Sequence, residues 1–570
     1  MKGLFGRYKI VLTPEQRKKR NKDVALVLIS GFLMGISYPP LPLPYFIFIA
    51  FVPLLKVIDE KETLGEINRY SYLAFFVFTL ITLYWVGSWT KEADPFLMIS
   101  GFLLLFVNPA LYLIPTTIYF FCKKSLGKKV ALYLFPFFWV SFEYLYSLTD
   151  LRFPWLILAN SLVYFNTFIQ ITDVVGAYGL SLIVLFINVL LFNAYVKFKS
   201  THKILSLNLC AASLIFVIVF SYGLFKRFSN HPSLIKVKLG LIQPDLNPWA
   251  KWEVSDLSEL LNIYLRLSQA AVDQGAKIII WPESALPVYL LSGNYEYEVE
   301  RIKNFVRNNK IYLLTGMPDA NFYFDKTKAP KDAKPLKGNV FYTSYNSILL
   351  FSPFTEEIQK YQKIKLVPFG EKVPFVEEFP FLGDLIKWQV GISSWNEGKD
   401  TVVFKLANVD LTIKNPSQKK VIISGEIKVG GLICIESIYP DFVASFVQRG
   451  ANLIAVVTND SWYGYSSGPF QHEAISILRA VENRRTVVRA ANGGVSCIIN
   501  PLGKILNETK LFTKSFLVVD AGIEDNLTFY TKYPLIFPLT SSFVSITIIL
   551  LFTMKMLYHF FNHKGTKRNE

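Results

Sequence analysis

The chain has 570 residues, of which 52% are hydrophobic and 16% aromatic, and its formal net charge is +17. This length is too great for one ordinary domain, and this apolar content is too high for a wholly soluble protein. A membrane protein is therefore the first expectation. The basic residues cluster in short segments instead of spreading over one surface, so we expect no nucleic-acid partner.

The N-terminal part predicts a basic head followed by membrane helices. Residues 1–22 hold eight Lys or Arg residues against one acid, Glu15. Within residues 23–226, seven apolar segments are long enough, or nearly so, to cross a bilayer, which takes roughly 20 residues. They cover about 24–40, 42–58, 70–89, 96–121, 130–147, 173–195 and 204–225, and an eighth lies within 534–560. Prolines at 39, 40 and 42 predict that the first two form a tight helical hairpin.

Lys and Arg residues alternate between the loops of this predicted bundle. The loops at 56–69, 123–129 and 197–203 are basic, whereas those around 90–95 and 148–170 contain only Lys91 and Arg152. Basic loops stay in the cytoplasm. We therefore expect residues 227–533 on the outer side of the membrane and the tail, residues 561–570, back in the cytoplasm.

The loop at 148–170 is apolar but is interrupted by Pro154. This pattern is typical of a re-entrant or interfacial stretch on the outer face. The alternative is an additional crossing, which would reverse the orientation of everything after it.

From residue 237 the pattern changes to short strands that alternate with amphipathic helices. Strands are predicted at 237–243, 277–281, 311–315, 429–435, 452–458 and 486–490, and helices at 255–274, 297–308, 440–448 and 470–483. A turn at 500–503 joins two more strands. This rhythm predicts a layered α/β sandwich with its site at the strand ends. The segments 325–338 and 406–420 are expected to be exposed excursions.

Three of these strand ends carry reactive side chains. The stretch VGGLICIESIYP, residues 429–440, ends a buried strand at Cys434, and a thiolate is the strongest side-chain nucleophile near neutral pH. The stretch IIIWPESALP, residues 278–287, ends in Glu283 between two prolines. Each residue alone is typical of ordinary structure, a buried cysteine or a solvated turn acid. Together they favour a cysteine-based catalytic site.

The stretch YQKIKLVPFGEKVP, residues 361–374, adds two lysines and a glutamate around a Pro-Phe-Gly turn. The order glutamate, lysine, cysteine resembles the catalytic set of the nitrilase (carbon-nitrogen hydrolase) superfamily. With TNDSWYG, RAANGGVS and membrane helices on both sides of the domain, nearly the whole chain resembles the apolipoprotein N-acyltransferase family. That resemblance implies a multi-pass α-helical membrane bundle joined to an α/β nitrilase-like αββα sandwich.

The resemblance also implies roles for individual residues. Glu283 would be the general base, Lys363 the cation that stabilises the oxyanion, and Cys434 the nucleophile. Lys363 is preferred over Lys365 because the family lysine stands eight residues before the glutamate of the Pro-Phe-Gly-Glu turn. Lys365 stands where the family commonly has histidine, and Ile435 where it often has tyrosine.

Further positions are carried over with supporting roles. Glu371, Glu436 and Trp252 match family residues thought to support the site. Asn459, Trp462 and Asn492 could line the pocket, although each could equally be a turn residue. Of the histidines in the polar half, His472 is expected to be an ordinary residue near a helix N-terminus.

The stretch at 373–395 is more apolar than an aqueous loop should be. We hypothesise that it forms a lid that touches lipid beside the thiol, with the side chains Phe375, Phe379, Phe381 and Trp388. The alternative is an ordinary helix packed on the domain.

The implied reaction moves an acyl chain from a membrane phospholipid, through a Cys434 thioester, to the α-amine of the diacylglyceryl-cysteine of an apolipoprotein. The implied location is the bacterial inner membrane, with the catalytic domain in the periplasm. Neither cofactor nor metal is expected, and we expect a monomer. The nearest alternative is a membrane-anchored amidase that hydrolyses an outer-face amide with the same residues. A transporter or receptor would need ionisable residues inside the helices, and the predicted spans are nearly free of them apart from Glu143.

Overall fold

The computed structural model describes residues 12–89, 95–229, 233–248, 256–376, 379, 395–414 and 420–566. Its N-terminal half is a bundle of helices, and one long helix follows the α/β domain. The bundle helices are α1 Pro14–Ile36, α2 Val52–Glu60, α3 Leu64–Leu83, α4 Pro95–Leu111, α5 Leu113–Leu126, α6 Lys128–Ser147, α7 Asn166–Ile169, α8 Thr172–Thr201 and α9 Leu207–Ser229.

The bundle has the composition of a membrane domain. Within the described residues, five helical stretches are long and apolar enough to cross a bilayer: Leu64–Gly87, Leu97–Leu126, Thr172–Thr201, Leu207–Ser229 and Ile536–Tyr558. Many of their large apolar side chains are exposed, which is costly in water and favourable in lipid. The expected multi-pass membrane bundle is therefore confirmed.

The first hairpin differs from the expected one. Helix α1 starts at Pro14 behind a Thr13 cap, so the expected boundary between residues 22 and 23 lies inside one continuous helix. The stretch 42–58 is not one long helix, because a 3-10 turn, Pro44–Phe48, is separated from α2 by a break. The chain still reverses its direction, since Lys61 beyond α2 pairs with Asp23 of α1 at 2.6 Å.

The predicted basic loops gather at one end of the bundle. Lys128 pairs with Asp59 at 2.7 Å, and the Lys123 ammonium donates to the carbonyl of Lys61 at 2.6 Å. The α/β domain contacts the opposite end. There Arg484 of the domain pairs with Asp173 at the start of α8 at 2.9 Å. Because α8 has 30 residues and is therefore roughly 45 Å long, the basic loop after it lies at the far end as well.

The loop at 148–170 packs between the bundle and the domain. It forms two 3-10 turns, Pro154–Leu156 and Leu158–Leu162, and α7, and most of it is buried. Glu143 of α6 accepts a hydrogen bond from the backbone N–H of Leu158 at 2.8 Å. The loop is therefore held by protein contacts on the side of the bundle that faces the domain.

The described part of the α/β domain contains thirteen strands. They are β1 Ile235–Gln243, β2 Ile278–Trp281, β3 Tyr312–Tyr323, β4 Lys334–Leu336, β5 Val340–Phe351, β6 Gln359–Gln362, β7 Val403–Lys414, β8 Lys420–Ile433, β9 Leu453–Thr458, β10 Val487–Ala491, β11 Cys497–Ile499, β12 Ile505–Glu508 and β13 Ser515–Gly522. Their order in the sheet is β12-β11-β10-β9-β8-β7-β1-β2-β3-β5-β4, with β13 beside β1 and β6 beside β5. Its helices, followed by the last membrane helix, are α10 Leu257–Asp273, α11 Glu296–Asn309, α12 Pro440–Gln448, α13 Ser467–Asn483, α14 Phe529–Lys532 and α15 Ile536–Thr566.

Alternation along the strands divides the sheet into two facing halves. Ile278 and Ile280 of β2 pack into the core that also holds β8 and β9, whereas Ile279 and Trp281 pack against α10 and α11. The two halves are joined through only two paired positions between β1 and β7. Successive strand side chains point to opposite faces, so this pattern produces the expected αββα sandwich.

Most predicted strands and helices are present, but one expected excursion is wrong. Residues 406–414 belong to β7, which pairs with β8 through a register shift between Leu406 and Val409. Its alternating burial, with Leu406, Val409 and Leu411 inside, marks a strand that covers the core. Strand β8 is accordingly longer than predicted, beginning at Lys420.

Candidate active site

Cys434 stands directly after β8, where the chain turns into a 3-10 helix, Cys434–Ile438. Its backbone has a φ of 52°, a left-handed conformation that is uncommon for a residue with a side chain. The Ser437 hydroxyl donates to the Cys434 carbonyl oxygen at 2.8 Å. This hydrogen bond and the left-handed backbone hold Cys434 at a sharp strand exit. The residue is half-buried.

Glu283, Lys363 and Glu371 meet in one buried cluster. The Lys363 ammonium lies 3.3 Å from Glu283 Oε1 and 2.9 Å from Glu371 Oε2, and the lysine side chain is 1% exposed. Glu371 also accepts a hydrogen bond from the Val367 N–H at 2.9 Å, which closes the Pro-Phe-Gly turn. One buried cation is thus shared by two carboxylates.

Asn346 of β5 completes this cluster and was missed by the sequence analysis. Its side-chain amide donates to Glu283 Oε1 at 2.7 Å and to Glu371 Oε1 at 3.0 Å. The backbone carbonyl of Asn346 accepts a hydrogen bond from the backbone N–H of Lys363 at 2.8 Å. The residue lies in an ordinary strand sequence, YNSILLF, so no motif indicates it.

Burial and the neighbouring charges shift the pKa values of Glu283 and Lys363. Burial raises the pKa of Glu283; Lys363 lowers it and Glu371 raises it, and the pKa stays above its ordinary value. Burial lowers the pKa of Lys363, but Glu371 and Glu283 more than offset this and raise it well above its ordinary value. The ammonium is therefore charged.

Burial also raises the pKa of the Cys434 thiol, and the negative charge of Glu283 raises it further, while Lys363 lowers it in part. The thiol is therefore protonated at rest and needs a base when it attacks. A carboxylate with a raised pKa is a stronger base than an ordinary one, which suits Glu283 to this task.

Glu436 clamps the two functional segments together. It is fully buried, and Oε1 accepts hydrogen bonds from Tyr361 OH at 2.7 Å, Ile364 N at 2.7 Å and Lys365 N at 3.1 Å. Oε2 accepts the Ile433 N–H at 2.9 Å, one residue before the nucleophile. The side chain thus fixes the Lys363 segment relative to the end of β8.

Of the other predicted residues, Asn459 contacts the cluster directly, and Asn492 contacts Asn459. The Asn459 N–H donates to Glu283 Oε2 at 3.1 Å. Asn492 is fully buried and donates to Asn459 Oδ1 at 3.1 Å and to the Leu246 carbonyl at 2.8 Å, so it positions strand ends instead of facing the thiol. The Trp462 carbonyl accepts a hydrogen bond from Ser88 of the bundle.

Of the predicted lid, Phe375 and Phe379 are described and both are exposed, by 40% and 53%. The Phe375 N–H donates to Asp150 of the loop at 148–170 at 3.3 Å. Phe381, Trp388 and Trp252 lie outside the described residues.

His472 makes more structural contacts than expected. It is buried on α13, with Nδ1 2.8 Å from Asp460 Oδ1 and Nε2 3.1 Å from the Cys434 carbonyl oxygen. Arg489 pairs with the other oxygen of Asp460. This network supports the turn at the nucleophile from behind, and only the tertiary contact between α13 and β8 reveals it.

The residue before His472 joins the domain to the bundle. The Gln471 amide donates to the carbonyls of Pro39 at 3.0 Å and Thr82 at 3.1 Å. Its oxygen accepts the indole N–H groups of Trp85 at 3.1 Å and Trp155 at 2.8 Å. Three separate segments of the bundle therefore meet at Gln471, which directly precedes the residue that contacts Cys434.

Among the described residues there is no cluster of three or more His, Cys, Asp or Glu side chains that could hold a metal ion.

Comparison with known proteins matches both halves of the chain. Residues 238–525 match the model of the carbon-nitrogen hydrolase family, and residues 30–190 match the model of the apolipoprotein N-acyltransferase N-terminal domain. An amidase of the nitrilase superfamily from Nesterenkonia is 19% identical, with coverage of 53% of this chain and 95% of its own and a TM-score of 0.35.

Two full-length relatives carry the same name. An apolipoprotein N-acyltransferase from Chlorobaculum tepidum is 33% identical, with coverage of 91% of this chain and 94% of its own. One from Geobacter metallireducens is 29% identical, with coverage of 97% and 99%. The chain therefore belongs to the apolipoprotein N-acyltransferase family, the membrane-bound branch of the carbon-nitrogen hydrolases.

Proposed function

We propose that this protein transfers an acyl chain from a membrane phospholipid to the α-amine of the diacylglyceryl-cysteine of apolipoproteins, through a thioester on Cys434. The observation that carries the proposal is the buried Glu283–Lys363 pair at the strand exit of the thiol, next to a bundle of apolar helices. Such a site has a nucleophile, a base, a fixed cation and access to lipid.

In the first half of the reaction, Glu283 accepts the proton of the Cys434 thiol while the sulfur attacks an ester carbonyl of the phospholipid. Lys363 stabilises the oxyanion of the tetrahedral intermediate, an interaction that is typically worth about 10²- to 10³-fold in rate. The C–O ester bond then breaks, Glu283 returns the proton to the leaving lysophospholipid, and the acyl group remains on sulfur.

In the second half, the free amine of the acceptor attacks the thioester carbonyl. The new C–N bond forms, the C–S bond breaks, and one amine proton returns to the sulfur through Glu283. Burial of the cluster keeps water away from the thioester, which favours the amine over hydrolysis. Phe375 and Phe379, which are exposed, would contact the acyl chains.

The proposed location is the bacterial inner membrane, with the α/β domain in the periplasm and the enzyme acting as a monomer. Support comes from the basic loops, which cluster at the end of the bundle opposite to the domain and should face the cytoplasm. A membrane-impermeant maleimide should label a cysteine introduced at the exposed Lys310 in intact spheroplasts, but not one introduced at Lys128. The reverse pattern would refute this orientation.

The test of the reaction is intact-protein mass spectrometry after incubation with phosphatidylethanolamine and no acceptor. The wild type should gain the mass of one acyl chain, which hydroxylamine removes, and Cys434→Ala should gain none. Addition of a diacylglyceryl peptide should then move the acyl chain to the peptide. A folded wild type that forms no adduct, yet hydrolyses a small amide, would favour the amidase alternative.

A further inference from the structure

Three basic side chains lie where the Lys363 segment meets the loop at 148–170. They are Arg152, Lys365 and Lys372, and we call them the cationic rim. Lys365 follows Lys363 by two residues, and Arg152 lies on the loop that packs between the bundle and the domain. None of the three takes part in the Glu283–Lys363–Glu371 cluster.

Lys365 is the least compensated member of the rim. Its ammonium lies over the rings of Tyr439 and Phe442, at 5.4 and 5.7 Å from the ring centroids. Within the described part of the chain, no carboxylate lies within ion-pair distance of it. Burial lowers the pKa of Lys365, and the positive charge of Arg152 lowers it further. The two cations thus repel each other at a half-buried position.

Arg152 and Lys372 both lie next to Glu397. Glu397 pairs with Arg152, and the same oxygen lies 3.8 Å from Lys372. The Glu397 side chain is 36% exposed, so its charge is partly screened by solvent. Tyr439 connects the two sides of the rim, because its hydroxyl donates to the Arg152 carbonyl at 3.3 Å and its ring faces the Lys365 ammonium.

The remaining acids near Lys365 compensate it only weakly. Both oxygens of Glu436 already accept hydrogen bonds, from the Tyr361 hydroxyl and from backbone N–H groups. Asp441 and Glu397 also act on the pKa of Lys365, but neither carboxylate lies at ion-pair distance from its ammonium. An anion placed between Lys365 and Arg152 would therefore relieve a repulsion that the protein itself leaves in place.

We propose that Lys365 and Arg152 bind the phosphate of the acyl-donor phospholipid, an inference that rests on the proposed function. A guanidinium matches the paired oxygens of a phosphodiester, and an ammonium supplies a second point charge. In a phospholipid, about five or six bonds separate the ester carbonyl from the phosphorus, so a phosphate site for the donor must lie close to Lys363.

This site would also distinguish the two substrates. The donor carries a phosphate, whereas the diacylglyceryl group of the acceptor carries none. Phosphate binding would therefore help the donor to enter the free enzyme, and it would give the acceptor no advantage.

The experiment compares acylation of Cys434 by two donors, phosphatidylglycerol and a long-chain p-nitrophenyl ester without phosphate, with the full chain in detergent micelles. Rates are measured for the wild type, Lys365→Gln, Arg152→Gln, Lys365→Arg and the control Lys310→Gln, an exposed lysine on α11's C-terminal end. The readout is the ratio of kcat/KM for the two donors. We expect the ratio to fall about ten- to hundredfold in the two glutamine variants, since they lose charged contacts. Lys365→Arg should restore most of it, and Lys310→Gln should leave it unchanged.

The outcomes separate the inference from the function on which it rests. An unchanged ratio, or equal losses with both donors, would overturn the phosphate site while leaving the acyltransferase intact. A wild type acylated only by the p-nitrophenyl ester would contradict the proposed function itself. Inorganic phosphate that inhibits the wild type but not Lys365→Gln, while the donor ratio is the same in both, would assign the site to free phosphate and refute the lipid as ligand.

Discussion

Asn346 offers the sharpest test of how the buried cluster works. Its amide is a neutral donor that bridges the two carboxylates, at 2.7 Å to Glu283 and 3.0 Å to Glu371. Asn346→Ala removes both hydrogen bonds at a buried position. A hydrogen bond to a charged group contributes about 1.5–3 kcal/mol. Loss of the one to the base should therefore slow thioester formation about ten- to hundredfold near neutral pH.

The sign of the pH effect follows from the same contact. A donor that binds a carboxylate favours its ionised form, so its removal raises the pKa of Glu283, which burial already raises. Because Glu283 must be ionised to accept the thiol proton, the acidic limb of the pH–rate profile should move to higher pH. Part of the lost rate should return on the alkaline side.

The assay is single-turnover acylation of Cys434 between pH 5 and 9 (roughly the range in which a raised carboxylate pKa is visible), followed by intact-protein mass spectrometry. Asn321→Ala is the matched control, since Asn321 is exposed on β3. Thermal unfolding is measured for both variants. A rate that falls equally at every pH, together with a lower Tm, would show that Asn346 is only structural, and an unchanged profile would refute the reasoning.

Three other variants test the contacts around the cluster. Gln471→Ala removes four hydrogen bonds between the domain and the bundle, so its Tm in micelles should fall by several degrees. The control Gln274→Ala, at an exposed position, should behave as the wild type. Glu436→Gln replaces an oxygen acceptor of backbone N–H groups with a donor; acylation should fall by more than tenfold, and a normal rate would contradict the clamp. The double variant Phe375→Ser, Phe379→Ser should lower turnover of phospholipid in vesicles, and unchanged turnover would exclude a lipid contact by these side chains.

Much of the fold could be predicted from local sequence. The strands β1, β2 and β9 and the helices α10 to α13 were located within a few residues, since apolar periodicity and prolines act over short distances. Strand β7 was missed because Asn408 and Asp410 interrupt its apolar pattern and a polar stretch, residues 415–420, follows it. Its identity depends on pairing with β8, which is a long-range contact.

The sequence by itself predicted which groups should carry the chemistry. A strand followed by a characteristic turn marks each of Glu283, Lys363 and Cys434. The membrane segments consist of runs of apolar residues. These signals are local, so they survive without knowledge of the fold.

Only the tertiary structure decided how those groups are held. Asn346 bridges the carboxylates because β5 pairs antiparallel with β3, and His472 reaches Cys434 because α13 packs behind the end of β8. The same packing makes Gln471 the junction with the bundle, and it places Lys365 beside Arg152, with no carboxylate of the described residues at ion-pair distance from the lysine. Such contacts join residues that are 25 to 432 positions apart. Burial turns an ordinary amide, imidazole or ammonium into part of the site by removing water as an alternative partner.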